Sequence, residues 1–504
     1  MYTEPVADCL AHYSKWRPKH PVSIDAVTGV RTSYAELEDR VRRAVGVLVR
    51  DFGIAEGDRV ALLATNRLDI VVLHLACSRI GAIFVPLNWR LSQGEIANQL
   101  EDSDPKLLIG DEQIEKISGD AQQGIEVVGF HDLAKRIDAA EPLAIMGRDA
   151  DLPVLMLFTS GTSGRPKGAL LSERNLMTSG LNFIAVGSVG PDSAFLCDAP
   201  MFHVLGLVSN IRPPLILGGT MVMSPGFNPP ETMARFANPD LGITHYFCVP
   251  QMAEMMRNHE AFDTEKFRGL AALFTGGAPH PAGKIREWLA DGIAIGNGYG
   301  MTETGAAMGM PLDLELEAEK IESSGLPGPY MEIGIASGDG TLLPTGEVGE
   351  IWMRGPGVTT GYWQRREANA ESFTEDGWFK SGDLGYRDED GFYYLVDRKK
   401  DMFISGGENV YPAEVEAALL AHTSISEAAV IGVADEKWGE VGHAALVLRR
   451  GASESDFDLA EHCGPRLARY KIPKYVTFLP ELPRAGSGKL QKKGLKDILE
   501  KPGD

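Results

Sequence analysis

Residues 157–169 (LFTSGTSGRPKGA) hold four hydroxyls (Thr159, Ser160, Thr162, Ser163), three glycines (Gly161, Gly164, Gly168) and two cations (Arg165, Lys167), directly behind an apolar run at 152–158. A buried strand that opens into a glycine-rich turn brings backbone N–H groups and hydroxyls against a polyphosphate. Glycine serves where the backbone must approach an anion closely, and lysine adds a mobile point charge. The loop is not the common G-x-x-x-x-G-K-[ST] pattern: counted from Gly161, the second glycine is Pro166, and Gly168 stands where Ser or Thr should be. Composition alone would also suit an ordinary Ser/Gly surface loop, so the argument needs partner motifs.

Those partners exist. Residues 298–305 (GYGMTETG) set Tyr299 between two glycines, where its ring can lie against a nucleobase, with one carboxylate, Glu303. A carboxylate beside phosphates suits Mg²⁺, which prefers oxygen ligands; a capping glutamate in a tight turn would look the same. Residues 378–385 (WFKSGDLG) offer Asp383 to two adjacent ribose hydroxyls, and Arg398 could brace the same sugar. Residues 200–207 (PMFHVLGL) put His203 in an apolar surround, as a satisfied core histidine or as a gate beside a reacting carboxylate. Residues 404–415 (ISGGENVYPAEV) read as a turn and a helix start, with Pro412 near its first position. From 463 to 496 stand Arg466, Arg469, Lys471, Lys474, Arg484, Lys489, Lys492, Lys493 and Lys496 against the single acid Glu481. That stretch is a solvated basic face or an anion site, and PRAGSGKL leaves Lys489 on a Gly-Ser-Gly loop.

Elements able to position these groups are visible in the hydrophobic pattern. The spacing predicts a helix over 34–52, after Thr32 and Ser33 as caps. β-like runs at 59–64, 82–86, 106–109, 220–223, 243–249 and 270–274 alternate with helices, which predicts layered α/β sheets with largely parallel strands. From 347 the pattern shifts to short strands (350–354, 377–380, 392–396) and then to the charged knot 397–401. A hinge at 397–400 between domains 1–396 and 401–504 follows as the expectation.

At 504 residues, two or more domains are expected. The formal charge of −21 argues against nucleic-acid or anionic-membrane partners, and no run approaches a membrane span. Cys9, Cys77, Cys197, Cys248 and Cys463 form no C-x-x-C pair, which suits reduced thiols in a cytoplasm. A homodimer is left open.

With these motifs in this order, the chain resembles the superfamily of AMP-forming acyl-CoA synthetases, adenylation domains and luciferases. The FISGGENVYPAEVE, DEKWGE and RLARYKIPK segments look like bacterial fatty-acyl or aryl-CoA ligases. The resemblance implies a large α/β domain with a small β-barrel-like subdomain and a mobile α+β C-terminal domain. It implies an ATP- and Mg²⁺-dependent carboxylic acid:CoA ligase working through an acyl-adenylate. Residue by residue, it assigns ATP phosphates to Thr159, Ser160, Gly161, Thr162, Ser163, Gly164 and Lys167, and Mg²⁺ to Glu303 with Thr159. Gly277, Ala278, Asn297, Tyr299 and Thr302 fall on the nucleotide, Asp383 and Arg398 on ribose. Lys489 would bridge the substrate carboxylate and α-phosphate, with Lys167 and His203 as further catalytic groups. Lys400 falls at the hinge, and Gly406, Gly407, Trp438 and Lys471 fall on CoA. Phe247, Val249, Met308, Met310 and residues 202–208 suggest an apolar pocket, which favours a fatty acid, with an aromatic (hydroxycinnamate or benzoate-like) acid as the alternative. Arg212 is an unplaced candidate to meet a second carboxylate. A carrier-protein loading enzyme, a luciferase-like oxygenase and a nucleotide sensor are the rivals, with no fused carrier domain to favour the first.

Overall fold

The computed structural model describes residues 8–116, 124–143, 149–159, 166–278, 280–405, 408–435, 437–484 and 490–499. The chain forms two compact units, one of Met1–Ile333 with Met353–Phe379, the other of Gly334–Trp352 with Lys380–Asp504.

In the first unit a seven-stranded sheet is built on Arg59–Leu63, Ile83–Pro86, Leu107–Gly110 and Pro153–Thr159, all short continuous apolar runs. Such runs belong to strands covered on both faces. Arg59–Leu63 pairs in parallel with Ile83–Pro86 and Leu107–Gly110, and Ile83–Pro86 with Pro153–Thr159. Lys167–Ser172 then turns back antiparallel, and the two-residue strand Gly361–Tyr362 closes that edge. The predicted helix is Tyr34–Arg50, where Ser33 and Glu36 form a reciprocal capping box and Leu37, Val41, Ala44 and Leu48 face the core. Helix Leu68–Ile80 is buried from Ile70 onward, as its nearly unbroken apolar text requires.

The second sheet of this unit has nine strands. Ala194–Cys197, Thr220–Met223, His245–Cys248, Ala272–Gly276 and Gly296–Met301 run parallel, and Gly305–Gly309 folds back on the last of them. Gly300 permits that hairpin: a Cβ there would lie 2.0 Å from the Gly305 carbonyl oxygen. Gly305 itself has φ +60°, and its N–H neighbour Ala306 donates to Ser179 Oγ on helix Glu173–Val186 at 3.0 Å. The hairpin is therefore seated on that helix.

The second unit carries the hairpin of Phe379–Arg387 with Tyr393–Arg398. It also carries a sheet in which Ile425–Asp435 and Gly439–Leu448 pair over their whole length, covered by helix Pro412–Leu420. Residues 397–400 lie inside this unit. Among the described residues no helix is long and apolar enough to cross a membrane.

Candidate active site

The strand register places the first cluster. Thr159 stands opposite Lys167 where Pro153–Thr159 meets Lys167–Ser172, and Thr159 Oγ1 donates to the Lys167 carbonyl at 3.4 Å. Ser160, Gly161, Thr162, Ser163 and Gly164 lie outside the described residues. The edge strand pairs Tyr362 with Ala169, and the Lys167 ammonium stands 5.1 Å from the centre of the Tyr362 ring. The Tyr362 hydroxyl donates to Glu303 Oε1 at 2.8 Å, while the Glu303 carbonyl accepts from Thr359 N at 2.6 Å. Glu303 is buried, at the turn of the Gly296–Gly309 hairpin beside Thr302. Burial, then the charge of Glu303, pushes the Tyr362 phenol well above its ordinary range, so it remains a proton donor. Lysine, aromatic ring and carboxylate thus form one chain. Tyr362 was not among the expected residues: a Gly-Tyr pair on a two-residue strand carries no spacing signal.

The second cluster lies along the parallel strands. Register sets Asn297 beside Thr275 and Gly298 beside Gly276. Gly277 leaves that strand with φ +80°, and Ala278 follows it, both exposed. Asn297 Nδ2 donates to the Ser323 carbonyl at 3.1 Å, which fixes its amide. Thr275 Oγ1 and His280 Nδ1, 2.9 Å apart, brace the loop from beneath.

Gly277 and Tyr299 border a cavity that extends past Phe247, Phe274 and Phe183 to Val186 and Gly309. Phe183 stacks on Phe247 (ring centres 5.4 Å, 26°) and tilts against Phe274 at 5.1 Å. Of the residues expected in the pocket, Phe247, Met308, Val204 and Leu205 line it; Val249 packs into a separate core cluster and Met310 is buried. His203 is not a lining residue. Its ring stands edge-on to Phe202 at 4.6 Å, and its carbonyl accepts from Leu207 N at 2.9 Å. Leu205–Ser209 is a π-helical turn, a rare form frequent at functional sites. Gly206 allows it, since a Cβ would fall 2.2 Å from the Pro200 carbonyl oxygen.

Arg212 is a correction. Its guanidinium holds both oxygens of Glu173, at 2.7 and 2.9 Å, and touches His74 Nε2 at 2.6 Å, with all three residues buried. Ser78 donates to Glu173 as well, at 2.7 Å. Burial, reinforced by Arg212, drives His74 down to about 3, so the imidazole is neutral. Arg212 is a structural cation, committed to the first residue of helix Glu173–Val186, and is not offered to substrate. No charged side chain lines the cavity among the described residues.

In the second unit Asp383 faces Arg398 across the hairpin, with Arg398 Nε 3.6 Å from Asp383 Oδ1. The Arg398 carbonyl accepts from Asp401 N and Met402 N at 2.9 and 3.2 Å, so Lys400 sits exposed in a turn. Asp397 Oδ2 accepts from Ala413 N at 2.7 Å at the start of Pro412–Leu420. Trp438 is 48% exposed, with the Lys437 ammonium 4.9 Å from its ring centre. The Lys471 ammonium is held by both oxygens of Glu414 at 2.7 Å. Gly406, Gly407 and Lys489 lie outside the described residues.

Known proteins match this arrangement along almost the whole chain. The AMP-binding enzyme family matches residues 10–363, and the AMP-binding enzyme C-terminal domain matches 414–489. The chain is 40% identical over 471 residues to a feruloyl-CoA synthase of an Amycolatopsis species, which covers 92% of this chain and 93% of that protein. It is 34% identical over 493 residues to a long-chain-fatty-acid–CoA ligase of Mycobacterium tuberculosis, covering 95% of each. The solved o-succinylbenzoate CoA synthetase of Bacillus subtilis, in complex with ATP and magnesium ion, superposes with a TM-score of 0.86 at 33% identity, covering 98% of this chain and 100% of that one. The expected resemblance therefore holds, and this chain belongs to the AMP-binding enzyme family.

Proposed function

We propose that this chain is an ATP- and Mg²⁺-dependent acid:CoA ligase whose acid is an apolar monocarboxylate. One observation carries the reading. A single hairpin, Gly296–Met301 with Gly305–Gly309, lines with its strands a cavity whose described lining carries no charge, and its turn delivers Glu303 to the hydroxyl of Tyr362, the ring beside Lys167. On this reading an acid seated in the cavity turns its carboxylate toward that turn, and Lys167 is assigned to the ATP phosphates.

The donor set fits Mg²⁺. Glu303 supplies a hard carboxylate oxygen, oriented by the Tyr362 hydroxyl, and Thr159 supplies a hydroxyl; this ion is commonly bound by one or two carboxylates plus substrate phosphates. When bound, it neutralises charge on the phosphate oxygens. The acid's carboxylate attacks the α-phosphorus, a new P–O bond forms, the bond to the β-phosphate oxygen breaks, and pyrophosphate leaves. Lys167 is assigned to the departing phosphates. Lys489 is assigned to the charge that grows on the α-phosphoryl oxygens, a task of positioning and electrostatics. The CoA thiol, losing its proton, then attacks the acyl carbon; a C–S bond forms and AMP leaves.

Asp383 and Arg398 are assigned to ribose, Gly277, Ala278, Asn297, Tyr299 and Thr302 to the rest of the nucleotide, and Gly406, Gly407 and Trp438 to CoA. Lys471 reaches a CoA phosphate only by leaving Glu414. Lys400 is assigned as the hinge between the half-reactions. The five cysteines are all free thiols, which supports a cytoplasmic setting.

A panel of fatty, aryl and dicarboxylic acids, with ATP, Mg²⁺ and CoA, tests the proposal through AMP, pyrophosphate and thioester measured together. Equal amounts of the three are expected for apolar monocarboxylates. AMP without thioester would transfer the second half-reaction to a carrier protein.

A further inference from the structure

The hairpin side of the cavity is mostly small. Gly298, Gly300, Gly305 and Gly309 line it as bare backbone and Ala306 and Ala307 as methyl groups, with Tyr299 and Met308 the two large side chains among them. Phe183 and Phe247, stacked on each other, and Phe274 line it as well. A lining of peptide backbone and aromatic rings suits a flat, polarisable ligand, because offset-stacked and edge contacts with aromatic rings add to area burial. A flexible alkyl chain would forgo those contacts and lose rotamer freedom on being confined.

Two lining residues on the helical side bear polar side chains. The Asn182 amide is fully engaged: Nδ2 donates to the Ala306 carbonyl at 3.0 Å, and Oδ1 accepts from Tyr330 N at 3.1 Å. Ser209 differs. It ends the π-helical turn, is 6% exposed, borders the cavity, and its hydroxyl makes no hydrogen bond to a described residue. Buried hydroxyls are otherwise partnered, so this one has its capacity left for what fills the cavity.

We infer that the acid is planar and aromatic, an aryl or arylpropenoic acid, and that Ser209 receives a hydrogen-bonding substituent on its ring. The inference rests on the acid:CoA ligase reading and narrows it. Ser209 is a specificity-determining residue: it sets which acid is held and takes no part in bond making.

The test compares 4-hydroxycinnamate, cinnamate, 3-phenylpropanoate and octanoate as substrates for pyrophosphate exchange and thioester formation. The wild type and Ser209→Ala are run side by side with their melting temperatures. In the wild type, kcat/KM falls in the order 4-hydroxycinnamate, cinnamate, 3-phenylpropanoate, with octanoate last. Ser209→Ala lowers kcat/KM for 4-hydroxycinnamate about tenfold or more, mainly through KM, and leaves cinnamate within about threefold, as expected for one lost hydrogen bond that strands its partner. Octanoate preferred over the aryl acids overturns planarity while leaving the ligase reading standing. Equal losses for both cinnamates, at unchanged melting temperature, overturn the role of Ser209. No exchange with any acid overturns the ligase reading itself.

Discussion

Tyr362→Phe removes one oxygen atom from the centre of the site and leaves everything else in place. The ring under the Lys167 ammonium, the backbone pairing with Ala169 and the buried volume all survive the change. What is lost is a 2.8 Å hydrogen bond to the carboxylate assigned to Mg²⁺. Hydrogen bonds to charged groups contribute about 1.5–3 kcal/mol. Removing the outer partner of a metal ligand typically weakens metal affinity ~10–100-fold, which at ~1.36 kcal/mol per decade is about 1.4–2.7 kcal/mol. The two scales agree, so the whole contribution of the hydroxyl is visible as metal affinity if orienting Glu303 is its task. Magnesium titration of pyrophosphate exchange should therefore show half-activation displaced ~10–100-fold upward, with a small loss in urea midpoint. Because the phenol is held above its ordinary range, the ratio of wild type to variant should be flat with pH below ~10. A variant that loses stability yet keeps its Mg²⁺ dependence would refute the reasoning, and would reduce Glu303 to an anchor of its turn through Thr359.

Other outcomes follow from particular groups. Burial pushes the Asp198 carboxyl up to about 6, against help from Thr232 and Tyr246; the folded state keeps a proton that the unfolded chain releases near ~3.9, so stability should fall between pH ~4 and ~6 and level above, by ~2–3 kcal/mol. Asp198→Asn should flatten that slope in urea titrations at stepped pH, and an unchanged slope would exonerate Asp198. Gly300→Ala drives a methyl into the Gly305 carbonyl and should open the hairpin, cutting exchange with every acid and lowering the melt by ~1–3 kcal/mol or more; normal turnover would show that the hairpin adapts. Lys489→Ala should abolish adenylate formation while sparing conversion of a supplied acyl-adenylate to thioester, a loss of ~3–4 kcal/mol in the first half-reaction only. Lys400→Pro, which fixes φ near −65°, should do the reverse, and thioester formation at the wild-type rate would move the hinge elsewhere.

The sequence was legible where chemistry and period coincide. The run at 220–223 is a strand with those bounds, and of the two expected caps Ser33 is the one that caps its helix, closed into a box by Glu36. Asp383 and Arg398, fifteen residues apart, meet because a hairpin folds between them. Side-chain destinations were less legible. Val249 and Met310 have the right chemistry for the pocket, and strand alternation would set them on the face of Phe247 and Met308. Each stands one residue past the end of its strand, Val249 as the cap of helix Pro250–Arg257, so alternation no longer governs them and both turn to the core. Tyr362 and Ser209 carry no local signal, because one depends on an edge strand pairing across nearly two hundred residues and the other on a π turn that shifts its face.

Arg212 bears most directly on what the enzyme accepts. A cation after the His203 segment reads naturally as a partner for a second carboxylate. Folding instead places it opposite Glu173 with two hydrogen bonds and a neutral His74 against it. Burying such a pair is tolerable only when its geometry is satisfied on both sides, and a substrate carboxylate could recruit Arg212 only by stranding Glu173 in the core. The described residues that line the cavity therefore remain uncharged. A second carboxylate entering it would lose its hydration with no cation to meet it, at an effective cost of several kcal/mol; ~4 kcal/mol is about a thousandfold in affinity. On the proposed reading dicarboxylic acids should be turned away by what the described lining lacks, with no residue needed to repel them, and a variant that supplied a pocket cation while leaving the Arg212–Glu173 pair intact should be the one that admits them.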